Sequence, residues 1–480
     1  MLSSRAVNLL VAAIFGYVVL QMVLGMVVSR SVRTEDDYLL AGRRLGPVLA
    51  TFSIFATWFG AETCIGAAGA VYESGLSATR ADPFGYTIVI ILLAAFVAAP
   101  LWRAHITTLG DLFRRRYSIG VERFAVLLMV PTSILWAGAQ IRAFGQVIAS
   151  SSDGLSASTG VALAAGTVLV YTVFGGLLAD AWTDVVQGIV LTIGLLVVTV
   201  LVVNGLGGLS TAVSQIEPSR WAWRAPGETS IEVLNRWTIP ILGSITAQEL
   251  ISRIVACRSP QVARRSAWAA SAGYLALGSL PIALGLMATG VPMQVDEAEH
   301  VLPALAAMHL PQAGYVLFVG ALVSAILSTV DSCLLVAGSL VSHNLVVPRM
   351  PHLSEHGKLV AARLAVMASG LAAWGLALAS DSVLGLVEEA NGFGSAGIVV
   401  LLAFSLWSRF GGALAAVSAL TAGIVVWILA HFVYAVSWDY LASLAAALGA
   451  YLLAGLIERR LSTYASHSVT EYTENLTEMP

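Results

Sequence analysis

The chain has 480 residues, of which 58% are hydrophobic and only 11% charged, with a formal net charge of −3. A soluble domain carries about 25% charged residues, so this chain lacks the surface to remain in water, and a mean hydropathy of +0.84 agrees. Composition therefore excludes a soluble globular protein, and the absence of a basic stripe excludes a nucleic-acid partner.

A helix that crosses a bilayer needs about 20 largely apolar residues. Thirteen stretches qualify, near 7–28, 45–74, 84–102, 121–149, 157–178, 181–204, 236–256, 267–291, 313–343, 359–380, 383–407, 411–432 and 438–457. They are numbered here as spans zero to twelve. The first apolar run follows one arginine and has no small-residue cleavage site after it, so it reads as a retained helix.

Cytoplasmic loops of membrane proteins carry an excess of Arg and Lys. Alternate gaps hold Arg30, Arg33, Arg43 and Arg44, then Arg103 and Arg114–Arg116, then Arg258, Arg264 and Arg265, then Arg349 and Lys358, then Arg409. The tail opens with Arg459 and Arg460, while the intervening gaps hold only Arg80, Arg220, Arg224 and Arg236. The N-terminus is therefore expected outside and the C-terminus in the cytoplasm. The loop 206–235 then lies outside, and Trp221, Trp223 and Trp237 mark an interfacial element. The tail 458–480 is polar and is expected to be irregular. Cys64, Cys257 and Cys333 fit no metal spacing and read as free packing residues.

Polar groups at membrane depth mark function. Span one reads FSIFATWFGAETCIGAAGAVYESG, with Thr57, Glu62 and Thr63 among Gly60, Gly66 and Gly69. A glycine-rich interruption frees backbone carbonyls that can coordinate a cation; the plainer reading is close helix packing. Span eight reads ALVSAILSTVDSCLLVAGS and gathers Ser324, Ser328, Thr329, Asp331 and Ser332. Ser328 and Ser332 share a helix face, and hydroxyl and carboxylate oxygens without His or Cys suit Na⁺ rather than a transition metal. Back-bonding to the helix explains one or two hydroxyls, but not a carboxylate among four. Span five begins GGLLADAWTDVVQG, with Asp180 expected at the cytoplasmic mouth and Asp184 one turn deeper. Glu62 and Arg142 are the remaining deep charges; they either pair with each other or contact a solute.

Three motifs, ATWFGAETCIGAAGAVYESG in span one, YTVFGGLLADAWTDVVQ across spans four and five, and GALVSAILSTVDSCLL in span eight, resemble the sodium:solute symporter family. The segment QELISRIVACRSPQVARRSAW after span six adds to the likeness. The resemblance implies an all-α membrane protein of about 13 transmembrane helices with a LeuT-like five-plus-five inverted-repeat core. The implied organisation is an N-terminal extra helix and cytoplasmic loop over 1–44 and a core over 45–407, with a first repeat 45–205 and a second repeat 236–407. Two C-terminal helices over 408–457 follow, then the tail.

The resemblance further implies a main sodium site at the carbonyls of Ala56, Phe59 and Ala325 and the hydroxyls of Ser328 and Thr329. A second sodium site would use Asp184, Ser328, Asp331 and Ser332, with Asp331 standing where other members have serine. The implied substrate site offers Trp58, Glu62, Tyr86, Trp136, Gln140, Arg142, Gln248 and Asn391. Trp58, Tyr86 and Trp136 resemble the aromatic residues of the family's choline transporters, where ring faces attract a quaternary ammonium. Ala247 replaces a further aromatic of those transporters, and the stripe equally fits packing or an amino-acid or sugar pocket.

The function these features imply is sodium-coupled import of a small organic solute, an organic cation such as choline or an amino acid, by alternating access. Na⁺ is the co-transported ion, and solute and bilayer are the partners; no feature bears on oligomeric state. The expected location is the cell membrane, as a multi-pass protein of a bacterial inner membrane. A solute sensor without net transport is the alternative, though no signalling module is attached. An enzyme is not expected, because no paired His/Glu metal site or Ser–His arrangement is present and His309 and His343 sit near span ends.

Overall fold

The computed structural model describes residues 32–150, 156–293, 297–380 and 383–477, together with Val295 and the isolated helical positions Gly16, Val19, Val23 and Val27. Span zero and the side chain of Ser324 otherwise lie outside the described residues. Those described are almost entirely helical, as lipid demands, because a helix satisfies its own backbone polar groups.

A short amphipathic helix, α1 (Glu35–Leu40), opens the described chain. Thr34 caps it by accepting from the Asp37 N–H while Asp37 accepts from the Thr34 N–H. This reciprocal box satisfies two donors that a helix start otherwise leaves bare. Span one is split into α2 (Pro47–Ala56) and a π-helical turn Glu62–Ala67 that continues as α3 (Ala68–Ser74). Span two is α4 (Arg80–Arg103), followed by α5 (Leu109–Arg116) outside the apolar spans. Span three is α6 (Ile119–Ser150).

Spans four and five run together as α7 (Ala157–Gly205), broken at Gly176 with φ 67° and ψ 175°. Only a residue without a side chain fits there, because a Cβ would lie 2.8 Å from the Tyr38 ring and 2.9 Å from its carbonyl oxygen. Tyr38 of α1 is itself fixed by donating its hydroxyl to the Thr172 carbonyl at 3.2 Å. The amphipathic helix thus wedges the turn between two spans.

The segment after α7 carries α8 (Leu209–Ser214), a 3-10 turn Pro218–Trp221 and α9 (Ser230–Thr238). Span six follows as a π-helical turn Ile239–Gly243, a non-helical break and α10 (Gln248–Val255). Spans one and six are therefore both interrupted. Their neighbouring ends are tied: the Leu45 N–H donates to the Ala256 carbonyl and the Arg258 N–H to the Leu45 carbonyl, both at 3.1 Å.

Span seven is α11 (Pro260–Ala288); α12 (Val301–His309) precedes span eight, α13 (Gln312–Ser339). Spans nine and ten are α14 (Glu355–Ala379) and the pair α15 (Val383–Gly392) and α16 (Ser395–Trp407), bent by 44° where Gly394 takes φ 67°. Spans eleven and twelve are α17 (Ala413–Ile428) and α18 (Asp439–Thr477). Among the described residues eight helices are long and apolar enough to cross a membrane, nine with the bent pair. The shortfall against the sequence count arises because span zero lies outside the described residues and spans one, four and six are broken or short. The tail, expected to be irregular beyond Arg460, instead continues α18 to Thr477.

Packing fits a bilayer solvent. Span eight is buried over 76% of its most apolar window, span five over only 33%. Large apolar residues of span five, such as Ile193 and Val200, face outward; in water this exposure would be costly, in lipid it is neutral. The three cysteines are free and buried.

Candidate functional site

The break in span one is held open by side chains. Residues 57–60 are not helical, and the freed groups find local partners. The Thr57 hydroxyl donates to the Ser53 carbonyl at 2.8 Å and the Ala61 N–H to Gln140 Oε1 at 3.2 Å. This satisfies backbone that would otherwise be unpaired at membrane depth. Ala56 ends α2 at the edge of the break and Phe59 lies within it.

Span eight meets the break at Gly60. A Cβ there would lie 2.8 Å from Thr329 Oγ1, 3.4 Å from the Ala325 carbonyl oxygen and 3.4 Å from Gln140 Oε1. The Thr329 hydroxyl also donates to the Ala325 carbonyl at 3.2 Å. Hard oxygens from two helices thus converge where one helix has lost its side-chain cover. Ser328 turns elsewhere and donates its hydroxyl to Asp184 Oδ1.

Beside this locus lies a buried charged cluster that joins four spans. Asp184 accepts from the Ser328 hydroxyl and, at 2.7 Å, from the Ser53 hydroxyl. Asp180, expected at the mouth of span five, is instead buried at 1% exposure. It accepts from the Ser332 hydroxyl at 2.9 Å and from Arg253 Nη2 at 2.7 Å. Arg253 is itself fully buried. Its Nε donates to the Ser53 carbonyl and hydroxyl, both at 2.9 Å, its Nη1 to the Glu249 carbonyl at 3.0 Å, and its Nη2 also to the Ser332 hydroxyl. It approaches Asp184 to 3.8 Å.

The desolvation cost of burying this ion pair is offset in part by the hydrogen bonds that surround Arg253 and Asp180 Oδ2. Sequence alone hides Arg253, because it sits near the end of span six beside the loop arginines that follow. Its signal is the polar face Glu249, Ser252, Arg253 within an apolar segment. Of the four residues expected to form a second sodium site, Asp184 and Ser328 bond each other, and Ser332 bonds Asp180 and Arg253. Asp331 Oδ1 is buried with no hydrogen-bond partner, as is Asp180 Oδ1.

The aromatic residues expected at a substrate site cluster tightly. Trp58 and Tyr86 have ring centroids 4.7 Å apart, Trp58 and Trp136 5.9 Å, Tyr86 and Trp136 6.2 Å. Tyr86 donates to Glu62 Oε1 at 2.7 Å and accepts from Asn391 Nδ2 at 3.0 Å. Asn391 accepts in turn from the Ser244 hydroxyl at 2.9 Å, in the break of span six. Glu62 and Arg142 do not pair: half-buried Arg142 lies by Glu299, where its charge opposes the upward push that burial gives the Glu299 carboxyl. Gln248 accepts from the Leu109 N–H at 2.8 Å and donates to the Ser252 hydroxyl at 3.1 Å, which docks α5 on span six, and it shares a small recess with Trp136 and Asn391.

A cavity of about 560 Å³ opens above the cluster. Its walls include Glu62, Asp82, Arg80, Glu388, Asn391 and His431. A second recess of about 30 Å³ lies on the other side of Asn391, lined by Trp136, Ser133 and Glu249 among others. Asn391 borders both, so spans one, six and ten meet at the partition between them.

Residues 38–425 match the sodium:solute symporter family. The chain belongs to that family. It is 28% identical over 439 residues to the sodium/proline symporter of Salmonella typhimurium, covering 86% of each chain. It is 26% identical over 375 residues to the high-affinity choline transporter 1 of Drosophila melanogaster, covering 74% of this chain and 59% of that one. The chain thus spans less than two thirds of that relative's length. In three dimensions it superposes on a Na⁺-coupled sialic acid symporter in a substrate-bound outward-open state with TM-score 0.81 at 18% identity, covering 94% of this chain and 98% of the other. It also superposes on Mhp1, a nucleobase-cation-symport-1 family transporter, with TM-score 0.61 at 16% identity, covering 88% and 95%. The architecture expected from the span-one, span-five and span-eight motifs is therefore that of this transporter fold.

Proposed function

We propose that the chain is a sodium-coupled secondary active symporter that imports a small organic solute by alternating access. The observation that carries this is the contact of Gly60, in the break of span one, with Thr329 and the Ala325 carbonyl of span eight. A cation there, held by Ala325 and Thr329 with the carbonyls of Ala56 and Phe59 and with Ser328, would bridge two helix groups. Binding across such a seam stabilises one arrangement of the groups and raises solute affinity by the same factor that solute raises sodium affinity. The inward movement of each charge gains about 2.3 kcal/mol per 100 mV of membrane potential.

The fold neighbours support an inverted-repeat core over 45–407, and the matched interruptions of spans one and six are consistent with repeats 45–205 and 236–407. The arginine distribution supports thirteen spans in a cell membrane, with the N-terminus outside, the large cavity facing outward and the C-terminus in the cytoplasm. In the region of the second sodium site the Arg253 guanidinium supplies a fixed positive charge between Asp180 and Asp184, so one transported sodium per cycle is the reading favoured here.

The testing experiment is uptake into proteoliposomes. Solute accumulation that requires an inward Na⁺ gradient supports the symport reading. Binding without accumulation favours a transporter-like sensor instead.

A further inference from the structure

Resting on the symporter reading, we infer that the solute is a net cation whose charged end carries N–H donors, a protonated amine or a guanidinium, and that Glu62 is the carboxylate that receives it. Glu62 is 2% exposed and borders the large cavity. Its Oε1 is occupied by the Tyr86 hydroxyl at 2.7 Å, and its Oε2 has no hydrogen-bond partner. A buried carboxylate oxygen without a donor carries the full cost of its desolvation. None of the groups beside it donates to Oε2: Tyr86 has spent its only hydroxyl proton on Oε1, and the Asn391 amide turns toward the Tyr86 hydroxyl. Arg142 lies by Glu299. A cationic N–H group entering from the cavity completes Oε2.

The charge of the cavity points the same way. Its walls carry the carboxylates of Glu62, Asp82, Glu388, Glu389 and Asp439. The basic residues on the same walls are already engaged: Arg80 pairs with Glu228 at 2.5 Å, Arg236 reaches the same carboxylate at 3.5 Å, and His431 lies between Glu389 at 3.1 Å and Asp439 at 2.6 Å. A cleft with carboxylates in excess and low-dielectric walls concentrates cations and repels anions. Asp82 deepens this potential beside Glu62; the Thr63 hydroxyl donates to it at 2.5 Å and the Tyr274 hydroxyl at 3.1 Å.

The aromatic cluster, by contrast, does not form an open cage. Trp58 is 1% and Tyr86 0% exposed, their rings packed on each other, and neither borders the large cavity. A quaternary ammonium needs open ring faces and has no N–H to give to Oε2. Recognition therefore falls to the carboxylate. A free amino acid would bring its own carboxylate against Glu62, Asp82 and Glu388.

Two matched pairs test this on the purified full-length protein by thermal shift, with and without Na⁺. Ethanolamine and choline share a skeleton but differ in N–H donors; agmatine and arginine differ by a carboxylate. At least one of ethanolamine and agmatine is expected to stabilise the protein, at concentrations about tenfold or more below its matched partner. Equal or tighter binding of choline or arginine overturns the inference, as does failure of both amines to bind.

Glu62→Gln is expected to weaken the amine response about 10- to 100-fold while Na⁺ alone still stabilises at its wild-type concentration. A shift in the Na⁺ response with an unchanged amine response would make Glu62 a sodium ligand and overturn the assignment. The wild-type comparison stands even if the variant does not fold. An amine that binds equally with and without Na⁺ would refute coupling but leave the solute class intact, so the two readings fail separately.

Discussion

Replacing Gly60 with alanine puts a methyl group into the proposed sodium site without touching any ligand's chemistry. The new Cβ would meet Thr329 Oγ1 at 2.8 Å, inside van der Waals contact, and the Ala325 carbonyl and Gln140 Oε1 at 3.4 Å. Relief comes by rotating the Thr329 hydroxyl away, or by moving span one off span eight; either removes an oxygen from the site. Overpacking of this kind costs about 1–3 kcal/mol. If that cost falls on the sodium-bound arrangement, affinity drops about 5- to 150-fold. The assay is a Na⁺ titration of solute uptake in proteoliposomes, with solute affinity measured again at saturating Na⁺. Gly66→Ala is the control, because a Cβ there meets nothing within 4 Å, and it should leave the sodium dependence unchanged. A Gly60→Ala protein that folds and keeps the wild-type half-saturating Na⁺ would refute the placement of sodium at this contact.

Thr329→Ala should raise the half-saturating Na⁺ more than Ser328→Ala, since the Thr329 hydroxyl faces the break whereas that of Ser328 is donated to Asp184; equal sodium dependence of both variants and wild type in uptake assays would count against the site. Arg253→Gln should destabilise the protein by about 3–5 kcal/mol, because it strands buried Asp180 without its cation. Thermal unfolding of Arg253→Gln with Asp180→Asn should recover part of that loss, and an Arg253→Gln protein as stable as wild type would contradict the buried pair. Outside the spans, Glu228 accepts from Arg80 and from the Ala225 N–H and ties α9 to the start of α4. Burial raises its carboxyl, but the Arg80 and Ala225 hydrogen bonds and the Arg80 and Arg236 charges outweigh this and leave it below the ordinary value. A depressed folded pKa means the stabilisation is full above the ordinary value of about 4.3 and is lost as pH falls through the lower folded value. Hydrogen exchange in 218–238 should therefore rise only on acidification below about pH 4, and Glu228→Gln should show that exchange already at neutral pH.

Much of the architecture follows from the sequence by itself, because its causes are local. Hydropathy over about 20 residues marks a span whatever it packs against, and Gly60 with Thr57 and Thr63 marks the interruption of span one. The run from Ser324 to Ser332 announces an oxygen-rich helix face on the same terms. Partner choice is different. It depends on how each helix is rotated about its axis and set against its neighbours, which no local window records. Arg253 and Asp180 are 73 residues apart, Ser328 and Asp184 144 apart. Their meeting joins separate spans into one cluster and places a guanidinium beside the residues expected to hold a second sodium. The same holds for the deep charges. The sequence requires Glu62 and Arg142 to find company in the membrane, but tertiary packing gives one oxygen of Glu62 to Tyr86 and sets Arg142 beside Glu299, and so leaves the other oxygen of a cavity-lining carboxylate without a donor.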